Sequence, residues 1–110
     1  HGEGRLLSKE PTGLAELVER HLAPLRYADA NSQPTEVYPD NPNGSALGVA
    51  SLCNPRGTVM GLMPHPEAFN HYTNHPRWTR QPKPEDEAGA GLVLFRNAAR
   101  YLAANRPLPL

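Results

Sequence analysis

Leu47-Gly48-Val49-Ala50-Ser51-Leu52-Cys53-Asn54-Pro55-Arg56-Gly57-Thr58-Val59-Met60-Gly61-Leu62-Met63 is two apolar runs joined by a turn sequence. Short apolar runs on either side of Asn-Pro-Arg-Gly predict a β-hairpin at about 47–63 with its loop at 54–57. In the first strand Leu47, Val49, Ser51 and Cys53 share one face, and Gly48, Ala50 and Leu52 the other. The second run leads directly into Met63-Pro64-His65-Pro66-Glu67. Met63 and His65 each precede a proline, which pushes them from the α region towards extended geometry. Residues 63–66 are therefore expected to be extended, with His65 and Glu67 projecting to one side. Glu67 then accepts a hydrogen bond from one imidazole nitrogen, fixing the tautomer and leaving the other nitrogen to handle a proton. The same five residues also read as an ordinary turn after a strand, and the surrounding chain has to decide between the two.

Upstream, a helix is expected at 12–22. Thr12 is its expected N-cap, and Ala15-Glu16 stands where a capping box places its acid. Leu14, Leu17, Val18 and His21/Leu22 form its apolar face, and Pro24 stops it. A short strand is expected at 25–28. Residues 29–45 are polar and turn-rich, with Asn31, Pro34, Pro39, Asn41-Pro42 and Asn43-Gly44. Asn-Gly is a hairpin-turn signal, and irregular stretches this long tend to be functional. The chain opens on His1-Gly2-Glu3-Gly4-Arg5, whose glycines permit close backbone approach to a ligand or simply make a tight turn.

Downstream, 68–87 is a second irregular stretch carrying His71, His75, Arg77, Trp78 and Arg80. Glu85-Asp86-Glu87 leads into a helix expected at 88–105, where acids suit the positive end of the macrodipole. Leu92, Phe95, Ala98, Ala99 and Leu102 form its expected buried stripe, and Pro107 and Pro109 end it.

Composition narrows the classes. The chain has 110 residues, enough for one small domain, and 11 basic residues balance 11 acidic ones. Zero formal charge argues against a general attraction to nucleic acid or to anionic membrane. Hydrophobic residues make up 38% of the chain, and 13 prolines with 9 glycines indicate long ordered loops or a piece of a larger domain. Cys53 is the single cysteine, so no internal disulfide forms, and a reducing, cytoplasmic setting is expected. No apolar run approaches the length of a membrane span, and no secretory signal is present.

Pro34-Thr35-Glu36, Tyr38-Pro39 and Asn41-Pro42-Asn43-Gly44-Ser45, followed by the hairpin and Met63-Pro64-His65-Pro66-Glu67, resemble the glutaminase of the phosphoribosylformylglycinamidine synthases. His1-Gly2-Glu3-Gly4-Arg5 and Leu94-Phe95-Arg96-Asn97-Ala98 fit the same pattern. The resemblance covers nearly the whole chain. It implies an α/β fold, the C-terminal half of a flavodoxin-like class I glutamine amidotransferase domain, with residues 1–110 a partial domain whose first half is missing. It implies that His65 is the catalytic histidine and Glu67 the carboxylate orienting it, and that Gly2 and Glu3 lie beside bound glutamine. A cysteine thiolate, absent here on its usual strand-to-helix elbow, would attack the glutamine amide, and this chain alone would be inactive. Ammonia would pass to a synthase domain or subunit in purine biosynthesis, where ATP and Mg are used; no cofactor or metal is expected in this chain. Cys53 ends a strand with no helix after it, and reads as a small buried hydrophobe.

Two departures touch partner contacts. Relatives often carry Arg after His-Pro-Glu where this chain has Ala68, and the segment from Phe69 to Arg80 is longer. Trp78 with Arg77 and Arg80 has the composition of an interface hot spot on a synthase partner. Two other readings compete. His65, Glu67, His71 and His75 supply metal-ligand types, and a non-catalytic glutaminase-like module would dock on a partner without chemistry.

Overall fold

The structure is a computed structural model that describes residues 4–105. It is a small α/β arrangement in two compact units, His1–Pro64 and His65–Leu110.

The first unit is built on the hairpin. β1 (Ser51–Cys53) and β2 (Met60–Leu62) pair antiparallel, with Ser51 opposite Leu62 and Cys53 opposite Met60. The hairpin falls inside the expected 47–63, but its strands are shorter and its connection wider, at 54–59 rather than 54–57. Asn54 is the reason. Its Oδ1 accepts the N–H groups of Thr58 and Val59, at 2.9 and 3.0 Å, and its own N–H donates to the Val59 carbonyl at 3.0 Å. An asparagine that bonds the backbone in this way substitutes a side-chain turn for ladder pairing.

At the other end β1 does not reach Leu47. Residues Ala46–Gly48 form a single 3-10 turn, with Leu47 at φ 53° and Gly48 at φ 69°. Gly48 has no substitute, because a Cβ there would stand 2.8 Å from the Thr35 carbonyl oxygen. Residues 22–27 line the second edge of β1: Cys53 donates to the Leu22 carbonyl at 2.9 Å, Ala50 to Leu25 at 3.0 Å and Tyr27 to Gly48 at 2.7 Å. The strand expected at 25–28 is thus a run of bridges, with Arg26 opposite Val49 and Ala28 opposite Pro34.

α1 is Pro11–Glu19, not 12–22. Its N-cap is Glu10 with no side-chain capping bond, so Thr12 is not the cap and no capping box forms. Pro11 occupies the first turn, where its fixed φ and missing N–H cost nothing. The helix ends before Pro24 has any say. His21 turns left-handed at φ 58°, its N–H donates to Val18 at 3.0 Å, and Leu22 donates to Leu17 at 2.8 Å. That pair of bonds is a Schellman motif with histidine in the place glycine usually takes. Leu14, Ala23 and Val49 centre the core, with Leu6, Leu17, Val18, Ala46 and Leu52 packed against them.

The long loop 29–45 is filled by its own polar side chains. Asn41 is 1% exposed. Its Nδ2 donates to the Thr35 and Ser45 carbonyls, both at 3.0 Å, and its Oδ1 accepts from Gly44 at 2.9 Å and Ser45 at 3.2 Å. Ser45, fully buried, accepts the Leu6 N–H at 3.1 Å and donates to Asn43 Oδ1 at 2.8 Å. Asn43-Gly44 therefore makes no hairpin; these bonds take the backbone groups a hairpin would pair.

In the second unit, residues 66–87, which include the irregular stretch expected at 68–87, are a chain of 3-10 turns and bends: Pro66–Phe69, Tyr72–Asn74 and Trp78–Arg80. α2 is Leu92–Ala104, beginning four residues later than expected, with Gly91 as N-cap and no acid in its first turn. Asp86 instead pairs with Arg96 at 2.9 Å, and Glu87 pairs with Lys83 and His71. The expected buried stripe is not buried. Phe95 is 49% and Leu102 48% exposed, and no residue of α2 is buried. One helix and three short turns offer too little apolar surface to cover a helix face. Pro107 and Pro109 lie outside the described residues. Among the described residues, β2 pairs on one side only, Val59 and Met60 are exposed, and no helix is long and apolar enough to cross a membrane.

Candidate active site

The second unit opens on the histidine. His65 caps the Pro66–Phe69 turn with φ −105° and ψ 84°, outside the α region as a residue before proline must be. The extended run ends there. Pro66 starts the turn, Glu67 stands in its first residues, and Ala68 N–H closes it on the His65 carbonyl at 3.1 Å. The expected extended backbone through Pro66 is thus replaced by a turn, yet the side chains meet: His65 Nδ1 lies 2.6 Å from Glu67 Oε1.

That contact has electrostatic consequences. The hydrogen bond from His65, helped by Glu67's own backbone N–H, holds the Glu67 carboxyl below the usual glutamate range. An ionised Glu67 accepts from Nδ1–H, which makes Nε2 the basic nitrogen of neutral His65. Both side chains are more than half exposed. Chemically, an imidazole oriented by a carboxylate in this way can transfer a proton through its other nitrogen.

What seats the turn was missed in the sequence. Gly91 N–H donates to the Phe69 carbonyl at 2.9 Å and Gly89 N–H to the Asn70 carbonyl at 3.0 Å. Both glycines are buried. A Cβ on Gly91 would stand 1.9 Å from the Pro66 carbonyl oxygen, and one on Gly89 2.4 Å from that of Phe69. The signal was available as Gly89-Ala90-Gly91 directly before an apolar helix.

The other singled-out residues have local roles. His71 Nδ1 meets Thr73 Oγ1 at 2.8 Å, and Nε2 meets Glu87 Oε2 at 3.1 Å. Lys83, then His71, holds the Glu87 carboxyl below its usual range, and Glu87 holds Lys83 above its own. His75 Nδ1 accepts the Arg77 N–H at 3.1 Å. His71 and His75 flank a 3-10 turn rather than sharing a helix face, and among the described residues no three His, Cys, Asp or Glu side chains gather as metal ligands would. Trp78 tucks its ring edge-on to Tyr72 at 6.0 Å and stays 41% exposed. Cys53 ends β1 in the first unit, half-buried. Gly2 and Glu3 lie outside the described residues.

Comparison with known proteins gives this geometry a context. Residues 1–102 match the family described as a CobB/CobQ-like glutamine amidotransferase domain. The chain is 41% identical over 104 residues to the human phosphoribosylformylglycinamidine synthase, covering 92% of this chain and 8% of that protein. It is 39% identical over 104 residues to the probable chloroplastic/mitochondrial phosphoribosylformylglycinamidine synthase of Arabidopsis thaliana, covering 93% of this chain and 7% of that one. It is 35% identical over 101 residues to the PurQ subunit of the synthase from Dehalococcoides mccartyi, covering 92% of this chain and 37% of the subunit. The chain therefore spans less than two thirds of each of these relatives.

Proposed function

The chain belongs to the CobB/CobQ-like glutamine amidotransferase domain family, and on that premise we propose that it carries the proton-transfer half of the glutaminase of a phosphoribosylformylglycinamidine synthase. The observation that carries the reading is the 2.6 Å contact between His65 Nδ1 and Glu67 Oε1. Supporting it, three relatives are named as synthases of this kind or as a subunit of one. In this reading residues 1–110 belong to the C-terminal half of a flavodoxin-like domain, and the thiolate comes from a cysteine outside these residues.

The chemistry follows from the pair. A cysteine thiolate adds to the side-chain amide carbon of glutamine. His65, protonated at Nε2, delivers that proton to the leaving nitrogen, and ammonia departs as the thioester forms. His65 then takes a proton from water as the water oxygen attacks the thioester, releasing glutamate and restoring the thiolate. Glu67 holds the ring through Nδ1 in both steps and stabilises the imidazolium present before the first and regenerated by the second. Ammonia goes to the synthase partner, which uses ATP and Mg to activate its acceptor. Gly2 and Glu3 sit beside the glutamine in this reading.

The test is His65→Ala in the full synthase. Glutamine-dependent synthesis should fall by roughly 10³-fold or more, while synthesis from added ammonia is retained. Glu67→Gln should lower the glutamine-dependent rate by less. The 110-residue chain alone should not hydrolyse glutamine. Unimpaired glutamine use by the His65→Ala enzyme would sink the reading.

A further inference from the structure

Gly91 has φ −60° and ψ −30°, a conformation any residue adopts, so its lack of a side chain serves space rather than backbone freedom. The space is specific. The atom 1.9 Å from a Cβ at Gly91 is the carbonyl oxygen of Pro66, in the peptide that joins Pro66 to Glu67. That peptide lies between His65 and Glu67 in the chain, so its plane governs whether their side chains meet. The same residue donates its N–H to Phe69 O at 2.9 Å, at the far end of the turn. A Cβ at Gly89 would stand 2.4 Å from that same carbonyl oxygen, and Gly89 donates its N–H to Asn70 O at 3.0 Å. Leu92 and Leu94 then donate back to Gly89 and Gly91 at 3.0 and 3.3 Å. One short segment thus ends in the helix and begins on the turn.

We propose that Gly91, assisted by Gly89, is a positioning residue for the His65–Glu67 pair, its bare backbone forming the seat on which the Pro66–Phe69 turn is set. The obstacle a methyl group would meet is backbone, not the tip of a flexible side chain. The Pro66–Glu67 peptide must therefore move by about an ångström or more to restore normal contact distance. A 2.6 Å hydrogen bond does not survive that displacement. Misplacement on this scale costs roughly 10²-fold in rate when the displaced group is catalytic. The kinetic arm of the test rests on the function proposed above; the spectroscopic arm does not.

The spectroscopic arm reads the His65 ring nitrogens by NMR in the 110-residue chain. The starting chain should show the Nδ1–H tautomer, and Gly91→Ala should shift His65 away from it. Two variants serve as comparators. Gly48→Ala meets Thr35 O at 2.8 Å in the first unit, so it destabilises the chain without touching the turn. Ala98→Gly with Ala99→Gly weakens α2 and leaves the glycine seat intact. Both should keep the starting tautomer. The kinetic arm places Gly91→Ala in the full synthase, where kcat for glutamine should fall roughly 10²-fold with KM changed by far less, and its pH profile should shift. An unchanged tautomer in Gly91→Ala overturns the proposal, as does an equal shift in either comparator. If Gly91→Ala does not fold, the helix-weakened variant still decides, since loss of the tautomer there would make helix stability the cause. Activity that survives His65→Ala, with the NMR result as expected, would refute the proposed function and leave the positioning role standing.

Discussion

The two units of the chain reach order by different means. His1–Pro64 closes around apolar side chains, Leu14, Leu22, Ala23, Val49 and Ala50, and around the buried polar trio Asn41, Ser45 and Ser51. In His65–Leu110 the buried described residues are Gly89 and Gly91. What shapes that unit is close backbone approach, turn hydrogen bonds and ion pairs on exposed side chains. The unit with the hydrogen-bonded His65–Glu67 pair is the one with almost no core. Substitutions in the first unit should therefore act on stability, whereas those in the second should act on geometry.

The sharpest way to break that contrast is Asn41→Ala. The side chain makes four hydrogen bonds while 1% exposed, and its loss strands buried backbone donors and acceptors. A loss of about 3–5 kcal/mol is expected, read as a shift in denaturant midpoint. A near-neutral result would mean the loop is not an integral part of the first unit.

A matched pair of truncations comes next. Leu14→Ala, at a site 4% exposed, should cost about 2–4 kcal/mol. Phe95→Ala, at a site 49% exposed, should cost about 1 kcal/mol or less in the same denaturation assay. Equal costs would show that the apolar side of α2 is more covered than its exposure indicates.

Leu47 offers a smaller effect of opposite sign. It sits at φ 53°, with Glu36 accepting its N–H and Arg26 Nε donating to its carbonyl at 2.8 Å. A leucine held left-handed carries about 1 kcal/mol of steric cost that asparagine largely avoids. Leu47→Asn should therefore stabilise by up to about 1 kcal/mol, visible as a higher Tm. Destabilisation would mean that the leucine side chain contributes packing that outweighs the strain.

Smallest of all is the pH response of the second unit. Glu67, Asp86 and Glu87 have folded pKa values below their ordinary ones, through His65, Arg96 and Lys83 respectively as the leading causes. Depressed carboxyls add stability that is present above their unfolded pKa and lost as pH falls through the folded value. Lys83, raised by Glu87, adds stability that is lost only as pH rises through its folded value, in the alkaline range. Amide exchange at Tyr72 and Ala88 should therefore quicken relative to the first unit as pH drops from about 6 towards about 2, once the intrinsic pH dependence of exchange is removed. The change should be slight, because exposed pairs are screened by water. No relative change would show that these pairs do not hold the unit together.

Much of the plan was legible in the sequence, with different losses at different places. The hairpin's location followed from two apolar runs and a turn, but its width depended on Asn54 bonding Thr58 and Val59, which spacing does not encode. The end of α1 was misplaced because apolar periodicity continued through Leu22 while the backbone had already turned left-handed at His21. On α2 the stripe pattern was readable and its burial was not, since burial depends on what covers a face. The meeting of His65 and Glu67 was anticipated from the prolines, though a turn rather than an extended strand brings it about. Pro34-Thr35-Glu36 and Asn41-Pro42-Asn43-Gly44-Ser45 pointed to the family, and the family match agrees. Their structural work, a polar plug under a loop, shows only in three dimensions.

That plug also bears on how the molecule ages. Asparagine followed by glycine is prone to deamidation, because the glycine nitrogen attacks the asparagine side-chain carbonyl carbon and closes a succinimide. Here both reactants are tethered. Gly44 N–H is committed to Asn41 Oδ1 at 2.9 Å, and Asn43 Nδ2 to the Gly4 carbonyl at 2.7 Å. Asn43 Oδ1 meanwhile accepts from Ser45 N–H and Oγ–H, at 3.1 and 2.8 Å. The ring can close only when the knot opens, so peptide mapping of stored protein should find Asn43 intact while the first unit stays folded. The spread of aspartate and isoaspartate at this position then becomes a chemical clock of how long the loop has spent undone.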